Sequence, residues 1–303
     1  MPIHLCNTSR RRFVSQLGGV VALAPALHAQ ADAERVHPDR IAILNDTHIG
    51  AHHTENASIP TRLRETVAWL VGLERRPAAV VINGDLALNN GKPGDYEHFA
   101  RLIAPLGQAG IPVHLTLGNH DNREAFHKVL KLADPTDAPV MSRHVGVVPL
   151  QKANLFLLDS LRATLVMQGA LGPEQLAWLG KALDAHANKP ALVIAHHNPR
   201  LGGDEKYHPG GLEDSAALWD LLASRSQVKA YVHGHLHQRG HSQHQGIHIL
   251  NTPATSFVQN PEQSTTGWTM VQLTDGGGEF TTLTHEKTHP WHRAVQTLNW
   301  RTG

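Results

Sequence analysis

The sequence predicts an α/β fold, and three observations carry that prediction. Six short runs rich in Val, Ile and Leu recur along the chain, at residues 41–44, 79–82, 113–117, 155–158, 191–195 and 228–232. Their length and unbroken apolarity suit strands buried on both faces. Segments with helical spacing lie between them, so strands and helices alternate. Five of the six runs lead straight into a short motif: Asp46-Thr47-His48, Gly84-Asp85, Gly118-Asn119-His120-Asp121, His196-His197 and Gly234-His235-Leu236-His237.

Taken in order, the first helical pattern places Leu63, Val67 and Leu70 on one face. Residues 97–106 and 123–132 are the next helix candidates. Leu176, Leu179 and Leu183 share a face in a helix opened by Pro173, whose fixed φ suits the first helical position. Residues 215–224 complete the helical set. The last quarter changes character, with strands expected at 247–250 and 269–273. Asp275-Gly276-Gly277-Gly278 then supplies a turn into a hairpin partner at 279–283. This part is expected to extend the same sheet system. No repeat or linker divides residues 32–303, so they read as one domain.

A chain of 303 residues that is 41% hydrophobic can bury the core of one large α/β domain. The formal charge of +1 hides an asymmetry, because residues 1–31 carry Arg10, Arg11 and Arg12 and no acid. Without them the balance is 24 basic against 26 acidic residues. Such near-neutrality gives no global attraction to nucleic acid or anionic lipid, so no specific nucleic-acid binding is expected. The only cysteine is Cys6. Disulfides and thiolate metal sites are thereby excluded from the folded part, and a transition metal must take His, Asp and Asn.

The amino terminus reads as an address. Arg10-Arg11-Arg12-Phe13 opens a weakly apolar stretch to Leu27, and Ala29-Gln30-Ala31 offers small residues for cleavage. Residues 1–31 thus resemble a twin-arginine (Tat) signal peptide, which implies the twin-arginine export machinery as a partner and a bacterial periplasmic or secreted location. The stretch is too short and too interrupted for a stable membrane anchor, which needs about 20 apolar residues. Cys6 precedes it, on the wrong side for lipid attachment at a cleavage site.

In open α/β sheets ligands bind beyond the carboxyl ends of strands, so the five motifs are expected to converge there. Oxygen and nitrogen donors delivered from several strand ends are what two adjacent divalent cations need. Gly-Asn-His-Asp is the most specific motif. Gly118 is expected to let the chain turn off its strand, Asn119 offers a neutral carbonyl ligand, His120 a proton-carrying ring, and Asp121 a carboxylate to orient that ring. No Gly-x-Ser-x-Gly elbow or phosphate-cradling Gly-x-x-x-x-Gly-Lys-Ser/Thr loop is present.

Together and in this order, the motifs resemble the calcineurin-like metallophosphoesterase superfamily. Gly84-Asp85-Leu86, Gly91-Lys92-Pro93-Gly94-Asp95-Tyr96 and Gly118-Asn119-His120-Asp121-Asn122-Arg123 are most similar to its class III cyclic nucleotide phosphodiesterase and glycerophosphodiesterase branch. The resemblance implies an α/β/β/α sandwich of two mixed sheets flanked by helices. It assigns Asp46, His48 and His237 to one metal, Asn119, His196 and His235 to a second, and Asp85 to both. Two divalent ions are implied, with Fe, Mn and Zn all compatible with these donors. The implied reaction is attack of a metal-bridging hydroxide on the phosphorus of a small phosphodiester, with His120 stabilising the transition state or protonating the departing alkoxide. Cyclic nucleotides, glycerophosphodiesters and related esters all remain as substrates. The alternatives are a phosphomonoesterase on the same site and a non-catalytic His-rich metal-binding protein. His197 is expected beside the substrate or behind the ligands, His233 outside the ligand set, and His52 and His53 either at the pocket or in solvent. Two departures from the family pattern, a turn of residues 86–91 that is one residue longer and Asn198 in place of a common Pro, lie at the rim and bear on substrate preference.

Overall fold

The apolar runs become strands of two six-stranded mixed sheets, in a computed structural model that describes residues 35–131, 139–202 and 210–302. In the first sheet, β1 (Val36–Asn45), β2 (Arg76–Asn83) and β3 (Val113–Thr116) run parallel. Its order is β12-β11-β10-β1-β2-β3, with β10 (Gly267–Leu273), β11 (Gly277–Thr284) and β12 (Val295–Asn299) pairing antiparallel onto β1 and one another. The second sheet is built from β4 (Gly146–Pro149), β5 (Asn154–Leu157), β6 (Ala191–Ile194), β7 (Val228–His233), β8 (Gly240–His244) and β9 (Ile247–Asn251), in the order β4-β5-β6-β7-β9-β8. Its four central strands are parallel, while β4 and β8 close the edges antiparallel.

The two-residue period of a strand decides which layers meet. Ile41 and Ile43 of β1 join Leu155, Leu157, Leu192, Ile194, Ala230 and Val232 in a core between the sheets. Ala42 and Leu44, on the opposite face, pack with α1 (Ser58–Val71), α2 (Pro93–Gln108) and α3 (Arg123–Leu130). Phe156, Val193 and Tyr231 turn away from the second sheet onto α4 (Pro173–Ala185) and α5 (Ser215–Ala223). The result is the expected four-layer sandwich of two mixed sheets flanked by helices.

Several elements differ from expectation for local reasons. Helix α2 begins a turn early, because the Asp95 carboxylate accepts the Lys92 and Ala51 N–H groups at 3.0 and 2.7 Å and Pro93 occupies its first turn. Helix α3 ends at Leu130, where Lys131 turns left-handed at φ 51°. Leu132, the last residue of the expected helix, lies outside the described residues. Gly277 and Gly278 belong to β11 rather than to the turn, which Thr274 closes by donating its N–H to the Gly277 carbonyl at 3.0 Å. Strands β4, β8 and β12 were not expected.

Val36–Gly303 forms one compact unit. The signal segment expected over residues 1–31 lies outside the described residues. Among the described residues, no helix is long and apolar enough to cross a membrane.

Candidate metal centre

Parallel strands carry their following loops to one edge, and backbone bonds tie those loops together. The Asp46 and His48 N–H groups donate to the Gly84 and Asp85 carbonyls at 3.2 and 3.0 Å. The Gly234 N–H donates to His196 O at 3.1 Å. Between the sheets, Asn83 Nδ2 donates to the Ala195 carbonyl and to Asn45 Oδ1, each at 3.0 Å, while Asn45 Nδ2 donates to Thr252 Oγ1 at 2.7 Å. These buried amides, singled out by nothing in the motifs, join the two sheets directly beneath the donor loops.

The donors of the five motifs meet there. His237 Nε2 lies 3.2 Å from Asp46 Oδ1 and 3.3 Å from His48 Nε2. Asp85 Oδ2 is 3.8 Å from His48 Nε2 and 3.3 Å from His196 Nε2, so this one oxygen lies between a member of each expected trio. The His235 ring centroid is 5.1 Å from that of His196. Donor atoms of Asp46, His48 and His237 form one cluster within 4.8 Å, and those of Asp46, Asp85 and His196 another.

Three features fit this arrangement to cations rather than to a self-satisfied polar core. Asp46 Oδ1, Asn119 Oδ1 and His196 Nε2 are buried without a hydrogen-bond partner, although buried polar atoms are normally paired. Other bonds orient them. Asp46 Oδ2 accepts the His235 N–H at 3.2 Å, and His196 Nδ1 donates to Asn83 O at 3.1 Å, leaving Nε2 as the nitrogen that would give up its proton to a cation. Second, a β-carbon on Gly118 would overlap Asp85 Oδ1 and approach Asp85 N to 2.6 Å, and one on Gly234 would lie 2.6 Å from Asp46 Oδ2. The chain does turn off its strand at Gly118, whose carbonyl accepts the Asp121 N–H at 3.1 Å, and the missing side chain there allows the close approach; the left-handed glycine is Gly84, at φ 71°. Third, Asp46, His48, Asp85, His235 and His237 all adopt positive φ, between 46° and 67°. Such strain is uncommon outside glycine and clusters at functional sites.

The electrostatics fit as well. Burial opposes ionisation of both carboxylates, yet His237 and His196 hold Asp46 below its ordinary value, and His196 holds Asp85 well below. Burial lowers His196 too, but Asp85 and Asp46 outweigh it and lift that ring to about 9. Burial keeps His48 neutral, pushed down to about 4, and with the nearby His196 takes His235 down to about 3. The centre thus has the field of a cation hole, and without metal one proton on His196 sits in it.

His120 and Asp121 depart from expectation. Asp121 does not orient the His120 ring. Its buried carboxylate accepts the N–H groups of Gly118, Leu86 and Ala87 at 2.9 to 3.2 Å and the Tyr96 hydroxyl at 3.1 Å, bracing the loops behind Asp85. Burial and the neighbouring Asp85 raise Asp121 to about 7, against those backbone bonds. The His120 ring is instead held by the Asn89 carbonyl, which accepts from Nδ1 at 2.8 Å. Asn89 lies in the turn over residues 86–91. The bond leaves His120 Nε2 free.

The one apolar run without a motif, β5, also contributes. Beyond β5, Ser160 Oγ bonds His197 Nδ1 at 2.7 Å, and Asp159 pairs with Arg123 at 2.6 and 2.9 Å. His197 packs on the His235 ring at 4.7 Å, and one of its ring nitrogens lies within 4.8 Å of donor atoms of His196 and His235. His233 is buried with Nδ1 donating to Gly234 O at 3.0 Å. His52 is exposed, and His53 accepts the Gly50 N–H at 3.1 Å; neither lines the cavity at the centre.

That cavity, about 510 Å³, is lined by His48, Asp85, Asn119, His120, His235 and His237 together with Leu88, Met167, Leu236, Phe257 and Gln259. It is large enough for a small organic phosphoester.

Known proteins place this geometry. The chain is 27% identical over 265 residues to a 3′,5′-cyclic adenosine monophosphate phosphodiesterase of Vibrio vulnificus, across 84% of this chain and 92% of that one. It is 30% identical to a glycerophosphodiester phosphodiesterase of Enterobacter lignolyticus, across 63% and 67%. A dimetal phosphatase of Danio rerio shares the fold at a TM-score of 0.66 and 14% identity, covering 88% of this chain and all of that one. The profile described as calcineurin-like phosphoesterase matches residues 39–239, a stretch that holds all seven donors. The chain belongs to the calcineurin-like phosphoesterase family.

Proposed function

We propose that this protein is an exported phosphodiesterase with a dinuclear metal centre. The observation that carries the reading is the convergence of seven donors, four of which (Asp46, Asn119, His196 and His237) have a buried atom without a hydrogen-bond partner. Asp46, His48 and His237 would hold one divalent cation, Asn119, His196 and His235 the other, with Asp85 shared. When bound, such a pair supplies Lewis-acid polarisation of a phosphoryl oxygen and a nucleophile at neutral pH.

The chain's own residues do the rest. Asp85 is fixed at Oδ1 by the His120 N–H at 2.8 Å, which keeps Oδ2 turned into the centre. His120, with Nδ1–H on the Asn89 carbonyl, presents Nε2 to the cavity. There it hydrogen-bonds a phosphoryl oxygen or, when protonated, gives its proton to the departing alkoxide. Asp121 acts one step back, holding the loops that carry Asp85 and Asn119. The relatives support diester over monoester substrates, since one acts on a cyclic nucleotide and the other on glycerophosphodiesters. Residues 1–31 would direct export through the twin-arginine route, leaving 32–303 as the working domain.

The test is a screen of phosphomonoesters and phosphodiesters on protein reconstituted separately with Fe, Mn and Zn. Higher kcat/KM for bis(p-nitrophenyl) phosphate than for p-nitrophenyl phosphate is expected. A strong monoester preference contradicts the reading.

A further inference from the structure

Metal binding does not explain four side chains of the cavity: Leu88, Met167, Leu236 and Phe257. Phe257 stands edge-on to two rings of the donor set, with centroids 5.5 Å from His48 and 5.7 Å from His237. Met167 is 57% exposed although it lines the cavity. Hydrogen bonds tie down the segment before it. The Leu165 N–H donates to Asn119 O at 2.7 Å, Thr164 Oγ1 to Asp121 O at 2.7 Å, and the Val166 N–H to Ala163 O at 3.0 Å. A wall braced against Asn119 and Asp121 therefore presents an apolar side chain beside the metal donors. Such a wall does nothing for a phosphoryl group, but it suits an apolar substituent on one.

The polar lining points the same way. Among the described residues, no Lys or Arg lines this cavity, and Gln259 is its one uncharged polar side chain besides Asn119 and the histidines. Against the side chains described, a polyol arm would leave most of its hydroxyls unpaired, which costs affinity.

We infer that the cavity selects phosphodiesters bearing an aromatic or otherwise apolar ester arm, held between Phe257 and Met167. This rests on the phosphodiesterase reading and narrows it, favouring aryl- or nucleobase-bearing diesters over glycerol-bearing ones.

Binding and turnover test it on the full, Mn-loaded chain. Diphenylphosphinate and dimethylphosphinate carry the same charge and no hydrolysable ester. The diphenyl compound is expected to bind at least about tenfold more tightly, the scale of a ring placed in an apolar pocket. Met167→Ser, at an exposed position, is expected to narrow that ratio, as is Phe257→Ala with its metal content verified. Equal affinities, or a ratio unmoved by both substitutions, overturn the inference. Phenyl and glyceryl p-nitrophenyl phosphate share a leaving group, and a kcat/KM at least about tenfold higher for the phenyl ester is expected. Equal turnover of the two sinks the apolar arm alone, whereas turnover of neither sinks the phosphodiesterase reading beneath it.

Discussion

Asp85 Oδ2 lies 3.3 Å from His196 Nε2, while the other oxygen of the same carboxylate accepts the His120 N–H at 2.8 Å. One oxygen is thus anchored and the other committed to the centre. Asp85→Asn would replace a charge by a neutral amide between the two trios. Loss of at least about a hundredfold in kcat is expected, exceeding the 10- to 100-fold cost of losing a group behind a ligand. Metal analysis alongside kinetics is expected to show fewer than two ions per chain.

Gly118 tests the packing behind the centre. A methyl group there would collide with Asp85 and come within 2.7 Å of His196 Cδ2. Gly118→Ala is expected to cost about 1–3 kcal/mol of stability, the usual range for overpacking, and to weaken metal binding. Urea denaturation and metal titration measure the two effects.

His120 carries no proposed bond to a cation. His120→Gln is expected to keep the metal content while lowering kcat by about 10²- to 10⁴-fold, the usual contribution of a general acid. Loss of metal in this variant would instead make the ring structural.

Proton linkage gives a pH signature. His196, lifted to about 9 by Asp85 and Asp46 against its burial, is protonated in metal-free protein at pH 7. His48, at about 4, and His235, at about 3, are neutral there and release nothing. A ligand must lose its proton to bind, so metal affinity rises with pH and flattens above about 9. Isothermal titration at pH 7 in buffers of different ionisation enthalpy is expected to show net release of about one proton or more. Zero release contradicts the assignment of His196.

Arg123 gives a stability test away from the donors. It pairs bidentately with the fully buried Asp159. Arg123→Met removes the bidentate partner of that buried carboxylate, and a loss of about 3–5 kcal/mol is expected from denaturant unfolding. A loss under about 1 kcal/mol would show that Asp159 finds other partners; it also accepts the His144 and Leu161 N–H groups.

What was legible in the sequence follows from what each part depends on. The central strands and the motifs behind them depend on apolar runs and on residue types, both visible in a linear string. Edge strands do not. All five residues of β8 are exposed, and β12 buries only Leu298, so neither has an apolar pattern to read. Strand β4 is half-buried and ends at Pro149, which reads as a break. At the site, the ligand types were visible but their holders were not. His196 and His120 are oriented by the carbonyls of Asn83 and Asn89, and a backbone group leaves no mark on residue identity. Asp121 was misplaced for the same reason, since its partners are mainly N–H groups of distant loops.

The central claim is that two cations share one cage. Anomalous diffraction from crystals of the Mn-loaded protein tests it most directly. The account expects two peaks about 3.5–4 Å apart, one among Asp46, His48 and His237 and one among Asn119, His196 and His235, with Asp85 touching both. A single peak, or a peak away from Asp85, would contradict it.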